Sequence, residues 1–356
     1  MGARATLRGQ TLVDPYHIFI IYSIFINSKY EWLTIGKRMN LTVQGQQVDR
    51  SMASSIILLA RPHFLIPGFL LYSLGFMFAV YNDGVLSLDR FLLGYSIMMP
   101  AHLAVSFSND YFDVEADAIS KRNPISGGSG ILVQRPELRS LALRIALGLM
   151  LLSAIMATIF FLVYHPAWYF LPLAWGGNLV GWFYTAPPLR FVYRGLGEVS
   201  TAIASAMIMP GLGYMCSLGA LDLNFWALAV VLLGYGFFFI ITVEMPDVES
   251  DRLAGKNNLL VRIGLRSGMV LAIVVTLLGS FLFFIGAMAD LLGAARELWV
   301  LFFASLLPST LAIYGLWRYG RPGFDVELHS KLNFSSLMFF VILVDMLLLY
   351  LIAPLF

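Results

Sequence analysis

Cysteine is nearly absent. The 356 residues hold one, Cys216, so the chain forms no internal disulfide and no cysteine-rich metal centre. Charge is scarce too: 12% of residues are Asp, Glu, Lys or Arg, against about a quarter in a soluble domain. A net charge of +2 supplies no basic face for nucleic acid, and none is expected as a partner. Apolar mass stands in place of charge, with 59% hydrophobic and 14% aromatic residues. That is the makeup of a chain that meets a lipid bilayer.

Apolar runs long enough to cross fall at 59–81, 91–109, 140–163, 166–184, 198–219, 223–243, 267–289, 296–317 and 333–354. Hydrocarbon offers the backbone no hydrogen-bond partners, so such runs must be helices. The sequence therefore predicts an all-α integral membrane bundle of about nine transmembrane helices over residues 53–356. Residues 1–52 form an N-terminal extension. Tyr16 to Asn27 within it is apolar but far short of the roughly 20 residues a span needs. It also lacks the pattern of a signal peptide. It reads equally as an interfacial helix, a disordered extension, or sequence upstream of a start at Met39 or Met52.

Basic residues predict the sidedness. The loops after runs two, four, six and eight carry Lys121, Arg122, Arg135 and Arg139, then Arg190 and Arg194, then Arg252, Lys256, Arg262 and Arg266, then Arg318, Arg321 and Lys331. The opposite loops hold only Arg90 and Arg296. Positive charge stays inside, so the first set of loops and the N-terminus are expected in the cytoplasm of a multi-pass cell-membrane protein.

Acids gather in the same loops. Asn109, Asp113 and Asp117 follow run two at i, i+4 and i+8, which on a continuing helix makes one stripe, with Asp110 beside it. Like charges so spaced destabilise a helix by about 0.2–0.5 kcal/mol per pair, and a divalent cation offsets that directly. Oxygen-only ligands suit Mg²⁺, which takes one or two carboxylates plus substrate phosphates. Asp247 and Asp251 close run six with the same spacing, followed by Arg252 and Lys256 as Lys121 and Arg122 follow the first cluster. Two acid-then-base units on one face predict Mg²⁺ held between carboxylates, with a diphosphate bridging metal and flanking cations. The metal set is Asn109, Asp110, Asp113, Asp117, Asp247 and Asp251. The cations are Lys121, Arg122, Arg190, Arg252 and Lys256. Between the clusters, Pro187-Pro188 forces a turn that can aim Arg190 and Arg194 at the aspartates. Tyr184 and Tyr193 are candidates to line the pocket. So is His102, seven residues before Asn109 and on its helical face. Asp345, inside the last run, receives no role.

At these elements the chain resembles the UbiA superfamily of intramembrane prenyltransferases. Asn109 to Asp117 resembles the family's N-D-x-x-D-x-x-x-D, and Asp247 to Lys256 with Val261-Arg-Ile-Gly264 resembles D-x-x-x-D-R-x-x-G-K…V-R-L-G. Tyr184 to Glu198 is similar to the Y-[ST]-G-P-P…Y-R-G-L-G-E segment of the menaquinone branch, which prenylates 1,4-dihydroxy-2-naphthoate. Arg61-Pro62 fits the family's opening. Three places depart: Val243 and Glu244 stand where Asn and Asn or Asp are usual, Asn257-Asn258 where Arg-Thr is common, and Asn123 to Gly130 replaces the usual loop.

The resemblance implies Mg²⁺-dependent transfer of a polyprenyl group from an allylic diphosphate to a small hydroxylated aromatic acid, with Asp113 and Asp117, Asp247 and Asp251 as the catalytic carboxylates. Arg61, Arg190 or Arg194 would meet the acceptor's carboxylate. Other acceptors of the class are a haem, a chlorin, homogentisate or a glycerol phosphate lipid. Two rivals fit less well. CDP-alcohol phosphatidyl transferases carry their aspartates on one continuous helix, and a transporter lined by Asp needs its acids near the bilayer midplane.

Overall fold

The computed structural model describes residues 51–119, 128–291 and 294–355. Residues 1–50, with Lys121 and Arg122, lie outside the described residues. Every regular element among the described residues is helical, and eight helices are long and apolar enough to cross a membrane. In chain order the main helices are α1 (Met52–Ala60), α2 (Leu65–Tyr81), α3 (Leu88–Phe112), α4 (Val114–Ile119), α5 (Arg139–Tyr164), α6 (Phe170–Trp182), α7 (Gly197–Ile203) and α8 (Met209–Leu218). They continue with α9 (Leu223–Glu244), α10 (Val248–Leu253), α11 (Leu259–Ile263), α12 (Leu265–Met288), α13 (Ala295–Arg318) and α14 (Val326–Ile352).

The starts are set by side chains that take up orphan amides. Ser87 caps α3 at the Arg90 amide, Asp222 caps α9 at Phe225, and Asp325 caps α14 at Glu327 and Leu328. The expected span at 166–184 is the shortest of the set. His165 takes a left-handed turn and Pro166 cannot prolong α5, so α6 starts only at Phe170. Its 13 residues cover only about 20 Å at the usual rise.

Packing closes the bundle into a ring. α3 lies on α5, α2 on α8, α9 on α12, and α12 on α13, while α14 returns to pack against α2. At that closure Ser73 of α2 donates a 3.0 Å hydrogen bond to Asp345 of α14, so the acid inside the last span is held by the first. Ser305 donates to Ser280 across α13 and α12 at 2.7 Å, polar glue of the kind lipid-embedded helices use.

The α2–α8 contact is close enough to demand glycine. A Cβ on Gly75 would fall on the Pro210 carbonyl, and one on Gly213 on the Tyr72 carbonyl. Gly75→Ala should therefore cost about 1–3 kcal/mol, the usual range for overpacking. A melting temperature in detergent unchanged from the parent would refute that reading.

α7 and α8 form one span interrupted by a wide π turn at Ala204–Ile208. Pro210 lacks the amide to continue a regular ladder there, and such bulges recur at functional sites. At one end of the bundle the short loops are knit together, with the Val85 amide on the Ser217 carbonyl and the Ala167 amide on the Gly219 carbonyl. The other end carries the acids.

Candidate active site

α3 stops at Phe112, Asp113 sits at the break, and α4 resumes at Val114. The uninterrupted helix expected through Asp117 is thus broken at Asp113. The Asp117 amide still donates to the Asp113 carbonyl at 2.8 Å, so the two acids remain one turn apart. The cause lies in the partners. Asp113 accepts from the Tyr193 hydroxyl at 2.8 Å and meets the Lys256 ammonium at 3.3 Å, a pull across the chain that a straight helix would not serve. In the second cluster, α9 ends at Glu244, a Met245–Asp247 turn containing Pro246 intervenes, and α10 presents Asp251.

Lys256 joins the halves. Its ammonium lies 3.3 Å from Asp113 and 3.2 Å from Asp251. Burial opposes its charge, yet the carboxylates of Asp113 and Asp251 hold its pKa above the ordinary lysine range. Asp117 shows the reverse imbalance. Burial, then the charges of Asp110 and Asp113, push its carboxyl up to about 7, with Arg61 and Lys256 only partly offsetting them. The site is short of positive charge, and a divalent cation would supply it. Among the described residues no three acidic, histidine or cysteine side chains converge to hold a metal by themselves. The donor set suits a hard cation that completes its shell with substrate phosphate and water.

Asp110 is turned to internal partners. Arg61 donates to it at 2.6 Å, and Ser129 donates both its amide, at 3.2 Å, and its hydroxyl. Arg61 itself occupies a left-handed conformation (φ 45) between α1 and the next turn, strain that the ion pair offsets. Asn109 accepts from the Thr185 hydroxyl at 3.0 Å.

The acids open on a cavity of about 420 Å³. Its walls come chiefly from α2, α3, α7 to α9 and α14, and are mostly apolar. Asn109, Asp110, Asp113, Asp117, Asp247, Asp251 and Lys256 line one part, with Arg61, His102 and Tyr184. His102 Nδ1 is buried without a hydrogen-bond partner. Three expected cations face elsewhere. Arg190 lies 4.1 Å over the Tyr193 ring, Arg194 donates to the Pro188 carbonyl, and Arg252 pairs with Glu249 at 3.0 Å. Arg252 directly follows Asp251 on α10, so its side chain leaves about 100° around the helix from the buried acid. Tyr193 acts through its hydroxyl on Asp113.

Several contributors had weaker signals. Ser129 belongs to the Gly-rich stretch that sets this chain's first loop apart, and Gly128 is needed there because a Cβ would strike the Asp117 carboxylate. Asn258, one of the two departing asparagines, donates to Asp251 at 2.7 Å. Glu198 accepts the Leu259 amide and so ties the Tyr184–Glu198 loop to α11.

The UbiA prenyltransferase family model matches residues 68–343, and that span takes in both aspartate clusters. The chain belongs to the UbiA prenyltransferase family. It is a membrane-embedded prenyltransferase, with the family's all-helical fold. No curated protein matches it by sequence. Among solved structures it resembles a UbiA homologue from Archaeoglobus fulgidus bound to GPP and Mg²⁺, at 16% identity over 82% of this chain and 99% of that one, with a TM-score of 0.61. An apo UbiA homologue from Aeropyrum pernix K1 matches at 18% identity over 78% of this chain and 98% of that one, TM-score 0.56. A digeranylgeranylglyceryl phosphate synthase matches at 16% identity over 84% and 96%, TM-score 0.56.

Proposed function

We propose that this UbiA-family enzyme uses Mg²⁺ to transfer a polyprenyl group from an allylic diphosphate to a small hydroxylated aromatic acceptor in quinone-type biosynthesis. The observation that carries the reading is Lys256, which draws an aspartate from each cluster to the rim of one apolar cavity. The diphosphate head belongs at that rim and the isoprenoid tail among the apolar walls. The Tyr184–Glu198 loop, menaquinone-like in sequence, supports the aromatic acceptor. Asp113, Asp117, Asp247 and Asp251 are the carboxylates placed to hold Mg²⁺, which when bound neutralises charge on the departing diphosphate.

The remaining chemistry falls to the chain. Lys256, at the rim between the two clusters, presents its cation to the phosphate oxygens. The allylic C–O bond breaks and its electron pair leaves with the diphosphate. The acceptor's electrons form the new bond to the allylic carbon. The acceptor then loses one proton, which a carboxylate of the first cluster at the cavity rim, Asp113 or Asp117, is placed to take. The apolar walls keep water from the allylic cation, for which aromatic faces such as Tyr184 are compatible neighbours.

The test is incubation of the purified enzyme with Mg²⁺, a labelled allylic diphosphate and a panel of acceptors, with products identified by mass. An aromatic product supports the reading. Prenylation of a glycerol phosphate lipid alone would overturn the aromatic acceptor and keep the class.

The basic loops imply that this face is cytoplasmic. Pro322, exposed between α13 and α14, serves as a reporter, and the native Cys216 is buried and serves as the blank. A membrane-impermeant thiol reagent should label Pro322→Cys only in opened cells. Labelling in intact cells would invert the orientation.

A further inference from the structure

A proline stands where the second aspartate cluster begins. α9 ends at Glu244, a short turn of Met245, Pro246 and Asp247 follows, and α10 starts at Val248. At the end of α9 the Met245 amide donates to the Ile241 carbonyl. The next carbonyl, that of Thr242, would take the amide of residue 246 in a regular ladder. Residue 246 is the proline: it has no amide to give, and its ring crowds that carbonyl out of line. Thr242 is fully buried, so water does not replace the lost donor.

The donor comes from α14. Ser330, in the second turn of that helix, gives its hydroxyl to the Thr242 carbonyl at 2.6 Å. Ser330 is fully buried as well, and α14 packs directly against the Met245–Asp247 turn. Hydroxyls of a neighbouring helix take up backbone groups freed by proline in lipid-embedded helices in just this way. The first cluster needs no such help. At its break the Asp113 amide donates to the Asn109 carbonyl at 2.9 Å and the Asp117 amide to the Asp113 carbonyl at 2.8 Å. Its own backbone keeps its acids in register, whereas the second cluster depends on another helix for the bond its proline removes.

We propose that Ser330 is a positioning residue for the second aspartate cluster: its hydroxyl stands in for the amide that Pro246 lacks, and so sets the turn that carries Asp247 and Asp251 into the site. The inference rests on the Mg²⁺–diphosphate reading and adds to it a residue that does not line the cavity. Asp247 adjoins Pro246 and lines the cavity, and Asp251 follows one turn later, 3.2 Å from Lys256. Without the Ser330 bond the Thr242 carbonyl must find another donor, and the turn shifts with Asp247 on it. Loss of a residue that orients metal ligands lowers metal affinity by about 10- to 100-fold.

The experiment uses the purified full chain in lipid nanodiscs, with geranyl thiolodiphosphate as an inert donor analogue. Analogue binding is titrated by calorimetry with and without Mg²⁺, and melting temperatures are read on the same samples. Ser330→Ala should weaken Mg²⁺-dependent analogue binding by about tenfold or more. It should also raise the Mg²⁺ concentration needed for half-maximal diphosphate release from geranyl diphosphate. Ser336→Ala, which removes a buried hydroxyl that donates within α14 to the Asn333 carbonyl, should match the parent. Pro246→Ala returns an amide to the Thr242 carbonyl. Adding Ser330→Ala to that background should leave the melting temperature unmoved and the analogue affinity within about twofold, and the double variant should fold even where Ser330→Ala alone does not. A Ser330→Ala protein that melts earlier yet binds analogue and Mg²⁺ as the parent does makes Ser330 a packing residue and overturns the proposal. So does an equal loss of melting temperature from Ser330→Ala in the parent and Pro246→Ala backgrounds. A parent whose analogue binding does not respond to Mg²⁺ overturns the metal–diphosphate reading and the proposal with it.

Discussion

Alanine at Asp113 or at Asp247 should cut prenyl transfer by about 10²- to 10³-fold or more, the loss that follows removal of one preorganised electrostatic contact to a transition state. EDTA should reduce turnover to background. The two residues belong to separate helix ends, and each supplies the site with a different half of its negative charge. Asp113 is 7% exposed and Asp247 8%, so neither is a solvated loop acid whose removal goes unnoticed. Glu249 is the control: it stands in the same turn as Asp247 and Asp251, is 73% exposed and pairs with Arg252. Glu249→Ala should retain activity. Diphosphate release measured for all three variants, with and without Mg²⁺, decides the matter. Near-normal turnover of the Asp113 or Asp247 variant, or of the parent in EDTA, would refute a metal-bridged diphosphate site.

The largest expected effect on stability is at Arg61. Its guanidinium is 15% exposed and lies 2.6 Å from Asp110, which is 1% exposed. Removing one partner of a buried pair leaves an uncompensated charge, at a cost of about 3–5 kcal/mol. Ser129 alone cannot replace that cation. Arg61→Ala should therefore lower the melting temperature by about 10 °C, taking a few degrees per kcal/mol for a chain of this size. Arg61→Met with Asp110→Leu removes both charges and should recover most of the loss, because an apolar pair of similar volume is often neutral. Equal melting temperatures for Arg61→Ala and the parent would mean that Asp110 is not an ionised buried partner.

The bundle was legible in the sequence because lipid leaves little choice. Long apolar runs must become helices, and eight of the nine lie in helical stretches long enough to cross a membrane. The ninth was shortened by His165-Pro166 at its start, where a loop of almost no length had to be made from residues that hydropathy counts as part of the run. The aspartates were legible through their spacing, which survives the break at Asp113 because the Asp117 amide still reaches back one turn. The cations were less so. A basic residue near an acid in sequence says little about its side chain: Lys256 crosses to the other half, whereas Arg252, nearer to Asp251 in sequence, faces outward. Nor does spacing disclose which acids already have partners. Asp110 and Glu244 occupy matching positions, and only the fold distinguishes the one held by Arg61 from the one set beside the buried acid Glu198.

The bond from Ser73 to Asp345 joins residues 272 positions apart. At ribosomal rates of about 5–20 residues per second, the first span waits in the bilayer for tens of seconds before its partner is made. Throughout that interval the cavity lacks the wall that Leu337, Phe340, Val341 and Val344 later supply. The nascent protein thus holds both aspartate clusters before it has a closed chamber. A carbocation chemist would want that order, since no donor can be retained and ionised beside open lipid and water. In the finished fold the Ser73–Asp345 bond fastens the last span, and with it that wall, to the first.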